Sequence, residues 1–182
     1  LPYTTLFRSA GKELLQVIDN GKGMSPTDAR MSFERHATSK IRNINDLFTI
    51  KTMGFRGEAL ASVAAVAQVE MKTCMAGSEV GSRIVIEGTD VKLQDACATP
   101  VGTNIMVKNL FYNVPARRHF LKSNTTEFRH ILDELTRIVV AEPKRAVRLW
   151  NNNVEQYHLE AGNLKTRIMA LLCSSYEKNL VP

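Results

Sequence analysis

The run Gly54-Phe55-Arg56-Gly57-Glu58-Ala59-Leu60 constrains this chain most, because it joins two glycines and an arginine to the start of an alanine-rich segment. Glycine lets backbone N–H groups approach an anion closely, and the first N–H groups of a helix have no partner inside it. Arg56 adds charge to such a cradle. Ala59, Leu60, Val63, Ala64 and Val66 then supply a narrow apolar face, so the run predicts a loop feeding a buried helix. The plain alternative is a glycine turn capping an ordinary core helix.

Upstream, Glu13 to Ile18 reads as a buried strand that runs directly into Asp19-Asn20-Gly21-Lys22-Gly23-Met24. A carboxylate at a strand end can accept from an exocyclic amine such as that of adenine. Gly21 and Gly23 would clear space for a ring, and Met24 offers a soft apolar surface. Asn-Gly between apolar runs is equally a hairpin signal, and both readings stay open here. The position of a third dinucleotide-type glycine is Pro26, and no Gly-x-x-x-x-Gly-Lys-Ser/Thr occurs, so neither of those phosphate motifs applies.

Ser25-Pro26-Thr27-Asp28 is a helix start, with Ser25 as N-cap, Pro26 at the first helical position and Asp28 near the positive end. That helix leads to Arg35-His36-Ala37-Thr38-Ser39-Lys40. Thr38 and Ser39 can bond sugar or phosphate oxygens and Lys40 is a point charge for a triphosphate; a cation-rich helix C-terminus is the structural alternative.

Taken in order, these motifs resemble the MutL family of DNA mismatch repair proteins, within the ATPase superfamily that also holds DNA gyrase and the sensor histidine kinases. The residues that carry the resemblance are Asp19 to Met24, Arg35 to Ile41, Gly54 to Leu60, Val101-Gly102-Thr103 and Leu110 to Leu121. The first two are shared across the superfamily, whereas Gly54 to Leu60 and Phe111 to Leu121 point to MutL. It implies an ATP site in which Asp19, helped by Thr103, meets the adenine amine, flanked by Gly21, Gly23 and Met24. Thr38, Ser39 and Lys40 would sit near sugar and phosphates. Gly54, Phe55, Arg56, Gly57 and Glu58 would wrap the phosphates largely through main chain, in a lid that orders on ATP and promotes dimerisation. The cofactors implied are ATP and Mg2+; the partners are DNA without sequence preference, the mismatch-recognition protein MutS and a second copy of the full-length protein.

In this family the acid that activates water and the asparagine that helps hold magnesium lie on a helix before the strand ending at Asp19. Leu1 to Ser9 contain no Asp, Glu or Asn and resemble a translated sequencing adapter, so residues 1–10 are read as non-native and no catalytic residue is assigned. Glu13 lies on the strand and is not promoted to general base. The expected organisation is an ATP-binding domain over residues 11–160, lacking its first helix, and the start of a second α+β domain over residues 161–182. The family's lysine to the γ-phosphate would lie in that second domain. The expected fold class is α+β, a two-layer sandwich of the gyrase, histidine-kinase and MutL ATPase type.

Strands are expected at Leu14 to Asp19, Val69 to Met75, Ser82 to Glu87, Val91 to Gln94 and Thr103 to Leu110, with a hairpin of Ala146 to Asn151 and Val154 to Leu159 turning at Asn152-Asn153. A long amphipathic helix is expected from Thr125 to Ala141, with Asn124 and Glu127 forming a capping-box-like start and Pro143 stopping it, and another from Leu164 to Leu172.

With 182 residues and 44% hydrophobic content, the chain can bury one main core. The net charge of +6, from 24 basic and 18 acidic residues, gathers at Arg117-Arg118-His119-Phe120-Leu121-Lys122 and Lys144-Arg145-Ala146-Val147-Arg148. This permits a phosphate-backbone surface, with a solvated face as the alternative. Cys74, Cys97 and Cys173 show no metal-ligand spacing and read as free thiols in a reducing compartment, and no apolar run reaches the ~20 residues of a membrane span. The expectation is therefore a cytoplasmic ATPase module without membrane contact. A non-catalytic DNA or partner module with a vestigial nucleotide site, and a gyrase-type ATPase domain, are the alternatives.

Overall fold

The computed structural model describes residues 3–38, 44–50, 54 and 56–172. Eight strands form one sheet: β1 (Tyr3–Arg8), β2 (Leu14–Asp19), β3 (Gln68–Cys74), β4 (Gly81–Glu87), β5 (Asp90–Cys97), β6 (Gly102–Lys108), β7 (Val147–Asn151) and β8 (Val154–Leu159). Their order is β5-β4-β3-β6-β2-β1-β7-β8. Every neighbouring pair is antiparallel except β1 with β7. The helices are α1 (Pro26–Met31), α2 (Ala59–Ala64), α3 (Pro115–His119), α4 (Asn124–Ala141) and α5 (Leu164–Leu172). The architecture is the expected α+β sandwich.

Period-two alternation decides which side of the sheet carries the core. In β3, Val69, Met71 and Thr73 lie on the buried face with Ile84, Ile86 and Val107 of the neighbouring strands. Small residues of the helical layer, Ala29, Ala64 and Ala67, close on that face and let α1 and the α2 region approach it. The other face carries Glu70, which receives Arg83 Nε and Lys108 Nζ, each at 2.8 Å, with Lys72 Nζ at 3.8 Å. Burial pushes the Glu70 carboxyl up, but the hydrogen bonds and charges of Lys108 and Arg83 outweigh it and hold the group below its usual range.

Local chemistry explains the element ends. Ser25 Oγ accepts from Asp28 N at 3.0 Å, with Pro26 opening α1, as the sequence predicts. The start of α4 corrects the expectation by one residue: Ser123, not Asn124, is the N-cap, its Oγ accepting from Thr126 N, while Glu127 Oε1 accepts from Lys122 N at 2.8 Å. Serine outcompetes asparagine here because its short hydroxyl meets the first-turn N–H while Glu127 covers the preceding one. Asn152 and Asn153 both adopt positive φ, 49° and 66°, as a two-residue hairpin turn demands.

Strands β5 and β6 differ in extent from the expectation. β5 runs on to Cys97 because Asp95, Ala96 and Cys97 pair with Arg83, Ser82 and Gly81. β6 ends at Lys108, and Asn109 and Phe111 turn off it with φ of 52° and 60°.

No strand was expected at the N-terminal end. Tyr3–Arg8 nonetheless lies between β2 and β7, bonded to both, and its Phe7 ring meets Phe128 of α4 edge-on, centroids 6.4 Å apart.

Helix α5 docks through Arg167, which is 2% exposed and whose Nη2 donates to the carbonyls of Pro143, Arg145 and Glu160. Burial lowers the pKa of this guanidinium. Among the described residues, no helix is long and apolar enough to cross a membrane and no group of His, Cys, Asp and Glu could hold a metal ion.

Candidate functional site

The end of β2 carries the first half of the site. Asp19 stands opposite Thr103 of β6, and its Oδ1 accepts from Gly21 N at 2.8 Å and Thr103 N at 3.2 Å. Those bonds fix the carboxylate, and among the described residues its Oδ2 accepts none. The segment after Asp19 runs into α1 rather than folding back on β2, which pairs with β1 and β6; the hairpin reading of Asn20-Gly21 is thereby excluded.

Two glycines let three main-chain segments close around that carboxylate. A Cβ on Gly23, whose φ is +68°, would lie 1.9 Å from Cys74 O; one on Gly102, at φ +119°, would lie 2.2 Å from Asp19 O. No other residue fits either position without moving backbone. Met24 follows and packs its side chain against the main core cluster.

Thr73 joins these segments. Its Oγ1 donates to Gly102 O at 2.9 Å, accepts from Met24 N at 3.0 Å and lies 3.2 Å from Thr103 Oγ1, and the residue is fully buried. Sequence reasoning placed Thr73 on a strand but not in the site. The available signal was a hydroxyl on the same strand parity as Val69 and Met71, in a position where a third apolar side chain is expected.

The second half of the site is the contact of the segment before Ser39 with the glycine-rich loop. Gly57 has φ +70°, and a Cβ there would lie 2.2 Å from Ala37 O, so the two backbones touch. His36, itself at φ 63°, places Nδ1 3.2 Å from Glu58 Oε1, and Arg56 Nε lies 3.3 Å from the same oxygen. Thr38 is half-buried beside this contact, and Gly54 is exposed. Ser39, Lys40 and Phe55 lie outside the described residues. Glu58 caps the six-residue α2, but its side chain makes no capping bond. The two halves share one layer, since Ala29 of α1 and Ala64 of α2 enter the same cluster with Met24, Phe33 and Val63.

A groove of about 710 Å³ lies apart from these residues. One wall is Tyr3, Thr5 and Phe7 of β1 with Leu15 and Val17 of β2; the other is the apolar face of α4, including Ile131, Leu135 and Ile138. Its lining is overwhelmingly apolar. This is the face the periodicity of α4 marks as inward, and Ile138 on it remains 44% exposed.

No protein-family profile matches the chain. Among proteins of known name, it is 53% identical over 177 residues to the DNA mismatch repair protein MutL of Christiangramia forsetii, covering 97% of this chain and 29% of that protein. It is 55% identical over 172 residues to that of Phocaeicola vulgatus, covering 94% of this chain and 28% of the relative. The chain therefore spans less than a third of the length of these relatives. Among solved structures, the MutL ATPase domain of Aquifex aeolicus in complex with ADP superposes with a TM-score of 0.75 at 25% identity, over 93% of this chain and 60% of that one. The ATPase region of Saccharomyces cerevisiae topoisomerase II shares the fold at a TM-score of 0.63 and 13% identity, over 96% of this chain and 47% of that one. With half its residues identical across nearly its whole length, and the fold of their ATPase domain, the chain belongs to the MutL family of DNA mismatch repair proteins as a segment of about 28–29% of their length.

Proposed function

We propose that this chain is the nucleotide-binding part of a mismatch repair ATPase. The observation that carries the reading is the Asp19 carboxylate: Gly21 and Thr103 occupy Oδ1, which leaves Oδ2 as a fixed acceptor for the exocyclic amine of adenine. Gly23 and Gly102 hold the surrounding backbone close, and Met24 supplies an apolar side chain beside the ring. Thr38, Ser39 and Lys40 serve the sugar and phosphates, and Gly54, Phe55, Arg56, Gly57 and Glu58 wrap the phosphates through main chain. By resemblance, Mg2+ would accompany the nucleotide and offset the charge of its phosphates.

The residues that hydrolyse ATP belong, by family resemblance, to a helix preceding the strand that ends at Asp19. The apolar groove between α4 and β1–β2 supports this reading, because it has the lining an amphipathic helix buries. The nucleotide-binding domain extends to residue 160, and residues 161–182 open the second α+β domain that supplies the γ-phosphate lysine. In the whole protein, nucleotide binding drives dimerisation and signalling between MutS and DNA in the cytoplasm. Arg117, Arg118 and Lys122 are the candidate DNA contacts; Arg117 is steadied 5.1 Å over the Phe111 ring, and no acidic residue occurs between Asp95 and Glu127.

The test is calorimetric titration with Mg-ATP. Asp19→Asn keeps an acceptor for Gly21 and Thr103 but turns the free oxygen into an amide donor that opposes adenine, so affinity is expected to fall at least about tenfold with folding intact. Equal affinity in the variant would remove the adenine assignment.

A further inference from the structure

Glu58 is the one acid of the glycine-rich loop, and its carboxylate is engaged by neither the helix it caps nor solvent alone. A single oxygen, Oε1, meets both His36 Nδ1 at 3.2 Å and Arg56 Nε at 3.3 Å. Arg56 and His36 are about three-quarters exposed, while Glu58 is 35% exposed. We propose that Glu58 is the internal counter-ion of the phosphate loop, holding Arg56 and His36 in the empty site and releasing them when the phosphates of a nucleotide arrive. This rests on the nucleotide reading and deepens it, by giving a role to a side chain in a loop otherwise assigned through main chain.

Three observations support the exchange. The loop and the His36–Ala37 segment stay together without the ion pairs, because Gly57 packs directly on the Ala37 backbone. Losing the pairs therefore need not undo the loop. Exposed pairs of this kind are individually weak, so a polyvalent phosphate, which forms stronger charge-assisted bonds, outcompetes a single carboxylate. And the capping position is unused: Glu58 sits where a short side chain would bond the first turn of α2, yet it turns to Arg56 and His36 instead. In the empty state Glu58 offsets charge that would otherwise attract any anion; in the bound state the cost of displacing it is subtracted from affinity.

The experiment compares the chain with Glu58→Gln and Glu58→Asp by titration with Mg-ATP and, separately, with inorganic tripolyphosphate, with urea midpoints confirming that each protein folds. Glu58→Gln is expected to bind both ligands about three- to five-fold more tightly. Glu58→Asp, whose shorter arm reaches less well, should gain less, and Arg56→Gln should abolish the gain when combined with Glu58→Gln. Unchanged or weaker tripolyphosphate binding by a folded Glu58→Gln, or binding of tripolyphosphate by neither protein, overturns the proposal. If Glu58→Gln gains tripolyphosphate affinity while no protein binds ATP, the counter-ion stands and the nucleotide reading fails. If ATP binds and is lost on Asp19→Asn but Glu58→Gln gains nothing, the reverse holds.

Discussion

Gly23 and Gly54 are both glycines of the proposed nucleotide site, yet the structure gives them opposite demands. Gly23 combines φ +68° with a backbone oxygen where its Cβ would go, whereas among the described residues nothing lies within 4 Å of a Cβ at Gly54. Gly23→Ala should cost roughly 3 kcal/mol or more in urea unfolding, and Gly54→Ala at most about 0.5 kcal/mol. Similar losses in both would mean that the close approach of Gly23 to Cys74 is not what fixes the segment. Thr73 gives the complementary case, in which shape is kept and hydrogen bonding removed. Thr73→Val leaves Met24 N without its acceptor and Gly102 O without its donor inside a buried site, a cost of about 1–3 kcal/mol. Nucleotide affinity should fall with it, because Met24 and Thr103 both lose a shared partner; a variant as stable as the parent and unchanged in ATP titration would contradict this account. Thr103, on β6, entered only through the family resemblance, whereas Asp19, Gly21 and Gly23 were legible in the sequence because carboxylate and glycines follow one strand. Thr73 was not, because it reaches the site only through pairing of β3 with β6, at a separation of thirty positions that no local pattern encodes.

At the scale of elements, the open face of the sheet is held by cross-strand charge rather than by a second apolar layer. Glu70 of β3 is flanked by Arg83 of β4 and Lys108 of β6, and their pull leaves its carboxyl below the usual range despite burial. A carboxylate whose folded pKa is depressed stabilises the fold above its unfolded value, here 4.5, and that contribution is lost as pH falls through the lower folded value. Glu70→Gln should therefore be less stable by about 1–2 kcal/mol near neutral pH, with the deficit shrinking progressively as pH drops below about 4.5. Chemical denaturation at pH 7 and pH 3 measures it; a deficit that persists undiminished at pH 3 would show that packing, not charge, is responsible. The strands themselves were largely readable from alternation: β2 and β8 match their expected limits and α4 begins one residue early. β1 was not, because residues 1–10 are read as non-native, and its place is decided by two neighbours, one more than a hundred and forty residues away.

Across the whole molecule, the sheet joins two regions of unequal completeness. Around β3, β4 and β6 the helical layer closes on a core of fully buried side chains. Around β1 and β2 the same face of the sheet looks across the groove to α4, whose Ile138 stays 44% exposed while Val139, one position on, is buried against Val147 and Leu159. An apolar wall on both sides of an open groove carries a hydration cost of ~25 cal/mol for each Å² that a further element would cover. A hydrophobic dye such as anilinonaphthalene sulfonate should therefore fluoresce with the folded chain, and Ile138→Asn should reduce that signal while changing stability by less than about 1 kcal/mol, since the side chain is already half in water. A dye signal indifferent to Ile138 would place the open apolar surface elsewhere on the molecule than the groove between α4 and the β1–β2 face.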